Sequence, residues 1–243
     1  MITSKQNALI KQIRSLTDKK FRDALGLFVV EGIKPINEAV SLGLEVEVVV
    51  CTEKAFSKLK TDNVRVEIVS DELLKFVSEE VTPQGALAMV KKPNCELTAP
   101  NGKCLLLDDV SDPSNVGAII RTAAASGYNE VYLTSCSADA YSQKAVRSSM
   151  GGVFRVKIYR ASRNDILERI NIPLIVADMD GEDVFSFVGP KQFCLVIGNE
   201  GNGVSEEVIK KAEYTVKIPM DNGVESLNAA VSAGILMYNL SQK

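Results

Sequence analysis

The sequence predicts an α/β protein in two parts, a small N-terminal α/β domain over 1–92 and a larger C-terminal domain over 104–243 built on a parallel sheet. Three observations carry this. Short apolar runs alternate with amphipathic, helix-spaced segments along almost the whole chain. After residue 103 those runs are near-continuous Val, Ile and Leu, the pattern of strands covered on both faces. Between the halves, KKPNCELTAPNGK (91–103) has two prolines, a glycine and almost no apolar content, which marks a linker over 93–103.

In the first half, Leu9, Ile10, Ile13 and Leu16 recur at helical spacing, so 4–20 reads as one amphipathic helix. LFVVEG (27–32) is a strand, Ile33–Leu42 a helix closed by Gly43, and 45–52 an alternating strand. A helix over 55–60, a strand over 64–70, a helix from Asp71 and a last strand over 86–92 complete it. In the second half the strands are 104–109, 130–135, 155–159, 173–179, 192–198 and 214–219, and the helices 115–126, 142–149, 164–169, 205–211 and 226–240.

Composition narrows the class. The 243 residues are 46% hydrophobic and 24% charged, a globular balance. No apolar run approaches the roughly 20 residues that span a bilayer. The polar, amphipathic N-terminus lacks a signal peptide's apolar core. A soluble, cytoplasmic protein without a membrane partner is expected. Five cysteines lack CxxC spacing and histidine is absent, so no metal site is expected, and reduced thiols are. Catalysis by Ser-His or Cys-His pairs is excluded outright. Net charge is −3, yet two basic clusters stand out. Lys5, Lys11, Arg14, Lys19, Lys20 and Arg22 face Asp18 alone, and Lys144 and Arg147 open a second group in the later half. Such runs are commonly just solvated faces, but they allow a phosphate-backbone partner.

Three loops follow strands of the parallel sheet, the edge where such sheets hold ligands. The first, DDVSDPSN, leads into a helix on which Val116, Ile119, Ile120, Ala123 and Ala124 form the apolar stripe. Arg121, the lone charge of that helix, lies about 140° from Val116, on the side of Ser114 and Gly117. With only small side chains around it, it has open space in front. It is equally readable as an ordinary solvated arginine. The second loop is Gly198-Asn199-Glu200-Gly201-Asn202-Gly203, whose glycines permit close backbone approach. Glu206 and Glu207 argue against a phosphate at the helix that follows, and the glycine order is not the dinucleotide fingerprint. The third runs from Ile218 to Asn228 into a helix of small residues. There Ser226 reads as an N-cap, and Asn228 is a poor choice inside a first turn.

Taken in order, DPSNVGAIIRTA, VIGNEGNGVSEE and IPMDNGVESLNAAVSAGI resemble the three signature motifs of the SpoU-type (TrmH-like) RNA ribose methyltransferases of the SPOUT superfamily. KAVRSSMGGVFRV (144–156) also resembles the family's pattern, and the N-terminal part resembles the ribosomal-protein-like RNA-binding domain that many members carry. The resemblance implies a C-terminal domain with a deep trefoil knot and a homodimer with its active site at the interface. It implies S-adenosylmethionine as cofactor and a ribose 2′-hydroxyl of RNA as methyl acceptor. By the same resemblance the catalytic arginine is Arg121, supported by Asn115, Glu200, Ser226 and Asn228. The cofactor would be contacted by Leu133, Thr134, Ile197, Gly198, Asn199, Gly201, Ile218, Met220, Ser226 and Leu227, largely through backbone.

A free guanidinium holds its proton to a pKa above about 12. Arg121 is therefore expected to orient the hydroxyl and the adjacent phosphate and to stabilise developing alkoxide charge, with Asn115 and Glu200 holding it in place. The two-domain layout favours large-subunit ribosomal RNA as substrate. Transfer RNA is the alternative, and a non-catalytic RNA-binding or assembly factor of the same fold is the reading from another class.

Overall fold

The computed structural model describes residues 1–61 and 63–241. The N-terminal half runs α1 (Ala8–Ser15), α2 (Lys19–Leu25), β1 (Leu27–Glu31), α3 (Ile33–Ser41), β2 (Val46–Cys51), α4 (Glu53–Phe56), β3 (Val66–Ile68), α5 (Asp71–Val77) and β4 (Ala86–Lys91). Its sheet has the order β1-β4-β2-β3, antiparallel except for the β2–β3 pair. The single helix expected over 4–20 is instead two. Asp18 interrupts it, its carboxylate accepting from the Lys20 amide and so starting α2 afresh.

The C-terminal half runs β5 (Cys104–Leu107), α6 (Pro113–Ser126), β6 (Glu130–Thr134), α7 (Gln143–Ser149), a 3₁₀ turn (Gly152–Phe154), β7 (Lys157–Ala161), α8 (Arg163–Arg169), β8 (Leu174–Asp183), β9 (Cys194–Ile197), α9 (Glu206–Ile209), β10 (Tyr214–Lys217) and α10 (Ala229–Ser241). All six strands are parallel, in the order β10-β8-β9-β5-β6-β7. Strand alternation divides the core. Leu105, Leu107, Val131, Leu133, Leu195 and Ile197 face α6 and α10, while Cys104, Leu106, Tyr132, Cys194 and Val196 pack with Ile166 of α8 and Val208 of α9.

The two halves share one apolar core. Phe28 and Val30 of β1 and Ile36 of α3 are continuous with the face of the parallel sheet that carries α6, and the Phe28 ring lies 5.0 Å from Tyr141 and 6.4 Å from Phe154. Ion pairs reinforce the seam: Arg147 with Glu80 at 3.0 Å, Arg155 with Glu38, and Arg22 with Asp139 at 2.7 Å.

Two expected boundaries shift where the site is built. β7 starts two residues later than 155 because the GGVF stretch closes a 3₁₀ turn first. The last helix starts at Ala229 and not at 226, because Asn228 takes the cap position: its Oδ1 accepts from the amides of Ala230 (2.9 Å) and Val231 (3.3 Å).

Candidate active site

α6 begins where the polar turn forces it to. Asp112 caps it, with Oδ1 accepting from the Ser114 amide at 2.5 Å, and Pro113 takes the first helical position, where no amide proton is needed. That bond, helped by Lys144 at 3.2 Å, holds the Asp112 carboxyl below its ordinary range. One turn in, Asn115 donates from Nδ2 to Glu200 Oε1 at 2.8 Å and accepts at Oδ1 from Asn228 Nδ2 at 2.9 Å. Glu200 also accepts from the Ser111 amide (3.1 Å) and hydroxyl (2.9 Å) and from the Asp112 amide (3.3 Å). The three loops singled out by composition are thus joined by one chain of hydrogen bonds, Glu200 to Asn115 to Asn228. Burial works against the Glu200 charge, but the bonds from Asn115 and the Ser111 backbone prevail and bring its pKa down to about 2.

Arg121 is exposed on α6, and no described residue makes a hydrogen bond or ion pair with its guanidinium. The expected tether to Asn115 and Glu200 is absent within the chain, for a geometric reason. Six helical residues separate Asn115 from Arg121, which turns them about 120° apart and roughly 9 Å along the axis. The backbone beneath Arg121 is instead tightly enclosed. A Cβ on Gly152 would sit 2.8 Å from Arg121 Cα and 3.0 Å from its amide nitrogen. One turn earlier, a Cβ on Gly117 would sit 2.3 Å from the Ala145 carbonyl oxygen. The face that looked empty in sequence is covered at its base by α7 and the 3₁₀ turn, and only the side chain projects free.

Of the remaining predicted groups, Ser226 is exposed and makes no hydrogen bond to a described residue; Asn228, not Ser226, caps α10. Leu133 and Ile197 are buried strand residues, and the Thr134 hydroxyl is committed to Asp109 Oδ1 at 2.6 Å. Asn199 shapes its own loop, accepting from the amides of Gly201 (2.9 Å) and Asn202 (3.0 Å) and donating to the Asp109 carbonyl (2.8 Å). Gly198 is bare because the loop folds back on it: a Cβ there would lie 2.3 Å from Gly203 C. Ile218, Met220 and Leu227 lie outside the strands and helices, and no described residue hydrogen-bonds to their main-chain amides or carbonyls.

Among the basic residues, Lys5, Lys11, Arg14, Lys19, Lys20, Lys144 and Arg147 are exposed. Arg22 is not: it is 3% exposed, paired with Asp139, and donates to the carbonyls of Leu16 (2.7 Å) and Thr17 (2.8 Å). It is an internal strut and is removed from the RNA-facing set.

Sequence reasoning missed Asp108 and Arg163. Asp108 is 1% exposed, and it accepts from Arg163 Nε and the Ser205 amide, each at 2.8 Å. Arg163 also holds Asp109 at 2.6 Å, and these carboxylates keep its charge firmly on. Asp109 sits at φ 60°, a left-handed conformation that Asp tolerates better than most residues. The signal was available: a carboxylate continuing a buried strand needs a cationic or amide partner. With Ser111, Asn199 and Ser205 these three line a cleft of about 250 Å³ at the C-terminal edge of the parallel sheet. No group of three or more Asp, Glu or Cys side chains among the described residues could hold a metal ion.

A parallel sheet whose strand ends carry three hydrogen-bonded loops, with an enclosed helix presenting a free arginine, is an α/β fold with a composite site, and solved structures of the same form exist. The chain superposes on an AdoMet-bound rRNA methyltransferase from Sinorhizobium meliloti with a TM-score of 0.89, 29% identity and coverage of 99% and 97% of the two chains. It superposes on the SpoU methyltransferase AviRb from Streptomyces viridochromogenes, in complex with AdoMet, with a TM-score of 0.88, 30% identity and 98% coverage of each. In sequence it is 32% identical to the 23S rRNA (guanosine(2553)-2′-O)-methyltransferase RlmP of Bacillus subtilis over 98% of both chains. Residues 102–238 match the SpoU rRNA Methylase family and residues 7–88 the MRM3-like substrate binding domain. The chain belongs to the SpoU rRNA methylase family.

Proposed function

We propose that this protein transfers a methyl group from S-adenosylmethionine to a ribose 2′-hydroxyl of large-subunit ribosomal RNA. The observation that carries the reading is the Glu200–Asn115–Asn228 chain, which joins all three signature loops beside the helix bearing Arg121. The AdoMet complexes of its structural relatives and the 23S rRNA specificity of RlmP support cofactor and substrate.

The residues present fit the cofactor. The unpartnered main-chain groups of Ile218, Met220 and Leu227, after β10, provide donors and acceptors for a purine and a ribose, and Ile197 and Gly198 stand at the C-terminal end of β9 in the same sheet. Bound there, S-adenosylmethionine supplies an electrophilic methyl group. The chain's own residues supply position and charge. Arg121, with no carboxylate partner, is free to engage the substrate hydroxyl and its neighbouring phosphate and to stabilise negative charge as the hydroxyl proton leaves. Glu200, held at about 2, is a poor proton acceptor. Its work is to fix the turn at Ser111 and Asp112 and, through Asn115, the head of α10. The proton from the 2′-oxygen passes to substrate phosphate or to water.

The same reading includes a substrate-binding N-terminal domain over 1–92, a linker over 93–103 and a catalytic domain over 104–243. It includes the trefoil knot, which the resemblance of the three loop motifs to the SPOUT superfamily implies. It also includes a homodimer, supported by Val231 and Tyr238 standing exposed on one face of α10, and a cytoplasmic location. The α1–α2 surface with Lys5, Lys11, Arg14, Lys19 and Lys20, and Lys144 and Arg147 beside α6, are the RNA contacts we infer.

The test is turnover of Arg121→Lys with cofactor binding measured alongside. Lysine keeps the charge but not the planar fork. The reading predicts loss of methyl transfer with cofactor affinity intact; wild-type turnover in this variant contradicts it.

A further inference from the structure

The backbone that carries the exposed arginine of the site rests against a segment that the N-terminal half contacts. The segment beneath it, Arg147–Arg155, is gripped from the N-terminal half at three points. Glu80 holds Arg147 at 3.0 Å, Phe28 packs on Phe154 at 6.4 Å, and Glu38 of α3 pairs with Arg155. The last contact is the most confining. A Cβ on Gly151 would lie 2.6 Å from Glu38 Oε2 and 2.8 Å from its Cδ, so the carboxylate is seated directly on the Gly151 backbone. Arg155 closes the loop by donating from Nη1 to the Gly151 carbonyl at 3.0 Å. Met150 and Gly151 both lie in the left-handed region, at φ 47° and 83°, so the chain turns sharply there and delivers Gly152 onto the backbone of Arg121.

We propose that Glu38 is a positioning residue for methyl transfer: by closing on Gly151 and holding Arg155, it fixes the 3₁₀ turn on which Arg121 stands. The N-terminal half is then part of the catalytic scaffold as well as a surface for substrate. This rests on Arg121 being the catalytic arginine. The coupling is by contact. Glu38 touches Gly151, Gly152 touches Arg121, and close-packed interiors transmit displacement with little compression.

The test uses the full-length chain, S-adenosylmethionine and total ribosomal RNA, with kcat, both KM values, RNA affinity and melting temperature measured for Glu38→Gln, Arg155→Met and the double variant. Glu38→Gln is nearly isosteric and removes only the charge. The expected result is a fall in kcat on the order of 10-fold for each single variant, short of the roughly 10²-fold that a 1 Å misplacement costs. KM values and RNA affinity stay within about 2-fold, and the double variant is no worse than the worse single one, as for two members of one contact. Unchanged kcat in Glu38→Gln overturns the inference. So does a rise in RNA KM at constant kcat, which assigns Glu38 to docking, and so do losses that multiply in the double variant or merely follow the folded fraction. Arg121→Ala serves as the control. If it retains turnover, the catalytic assignment itself is wrong; if it is inactive while the Glu38 variants are normal, only the positioning role fails.

Discussion

Replacing Gly152 by alanine puts a methyl group 2.8 Å from the Cα of Arg121, 3.0 Å from its nitrogen and 3.2 Å from the Ile120 carbonyl oxygen. All three are backbone atoms of α6, so no side chain can swing away. Carbon atoms rest at about 3.5–4.0 Å, so the 3₁₀ turn and the helix must part by roughly 0.7 Å or more. Overpacking of this kind costs about 1–3 kcal/mol, and the stiffer unfolded chain returns about 0.4–1 kcal/mol of it, because the position is not in the left-handed region. A net loss near 1–2 kcal/mol lowers the melting temperature by about 2–8 °C in a chain of this size. The catalytic effect is larger than the stability effect, since a 1 Å shift of an orienting group costs up to about 10²-fold. Single-turnover methyl transfer at saturating cofactor, read beside a thermal melt at the same pH, separates the two. A variant that melts lower yet transfers methyl groups within about 2-fold of wild type would show that the contact at Gly152 does not place Arg121.

Other perturbations have equally definite outcomes. Arg22→Ala leaves the largely buried Asp139 carboxylate without its cationic partner and is expected to destabilise by about 3 kcal/mol in chemical denaturation, far beyond Lys20→Ala on the exposed neighbouring turn. Asn115→Ala removes both the donor to Glu200 and the acceptor for Asn228, and it should lower kcat while leaving RNA affinity unchanged. The pH dependence follows from Glu200, whose pKa falls from 4.5 to about 2 on folding. A depressed carboxylate stabilises the fold above its unfolded value and loses that contribution as pH drops from about 4.5 through 2. Because Glu200 is exposed, solvent screening limits the effect to about 1 kcal/mol or less, and thermal melts between pH 2 and 6 should show it shrinking in Asn115→Ala. Neutralising Lys11 and Arg14 together should weaken RNA binding and flatten its salt dependence, with the single-turnover rate on bound RNA unchanged.

The fold was legible because its signals are local. Near-continuous apolar strands are read residue by residue, and the six parallel strands lie within a few residues of where those signals put them, although the helix expected from Asn115 starts two residues earlier, at Pro113. The loops of the site were legible for the same reason: Asn115, Glu200 and Asn228 are polar residues that strand and helix interiors do not ask for. Their pairing was not legible. Nothing in the sequence says that Asn115 donates to Glu200, 85 positions away, and accepts from Asn228, 113 away, on a face of α6 turned from Arg121. Arg22 shows the same limit more sharply. It shares a basic run with Lys19 and Lys20, and only the approach of Asp139, 117 residues on, turns it inward. Gly117 and Gly152 look permissive in sequence; in three dimensions each is obligatory because backbone of another element lies where a Cβ would be. The boundary of α10 turned on whether Ser226 or Asn228 takes the cap, and both residue types serve there.

The central claim is that the arginine-bearing site methylates a ribose oxygen. A methyl group on the 2′-oxygen removes the nucleophile that alkali uses to cleave the adjacent phosphodiester. Ribosomal RNA methylated by this protein with methyl-tritiated S-adenosylmethionine, then fully hydrolysed in alkali, should therefore carry its label in alkali-stable dinucleotides, and should carry none when Arg121 is replaced by alanine. Label recovered in mononucleotides would place the methyl group on a base and contradict the account.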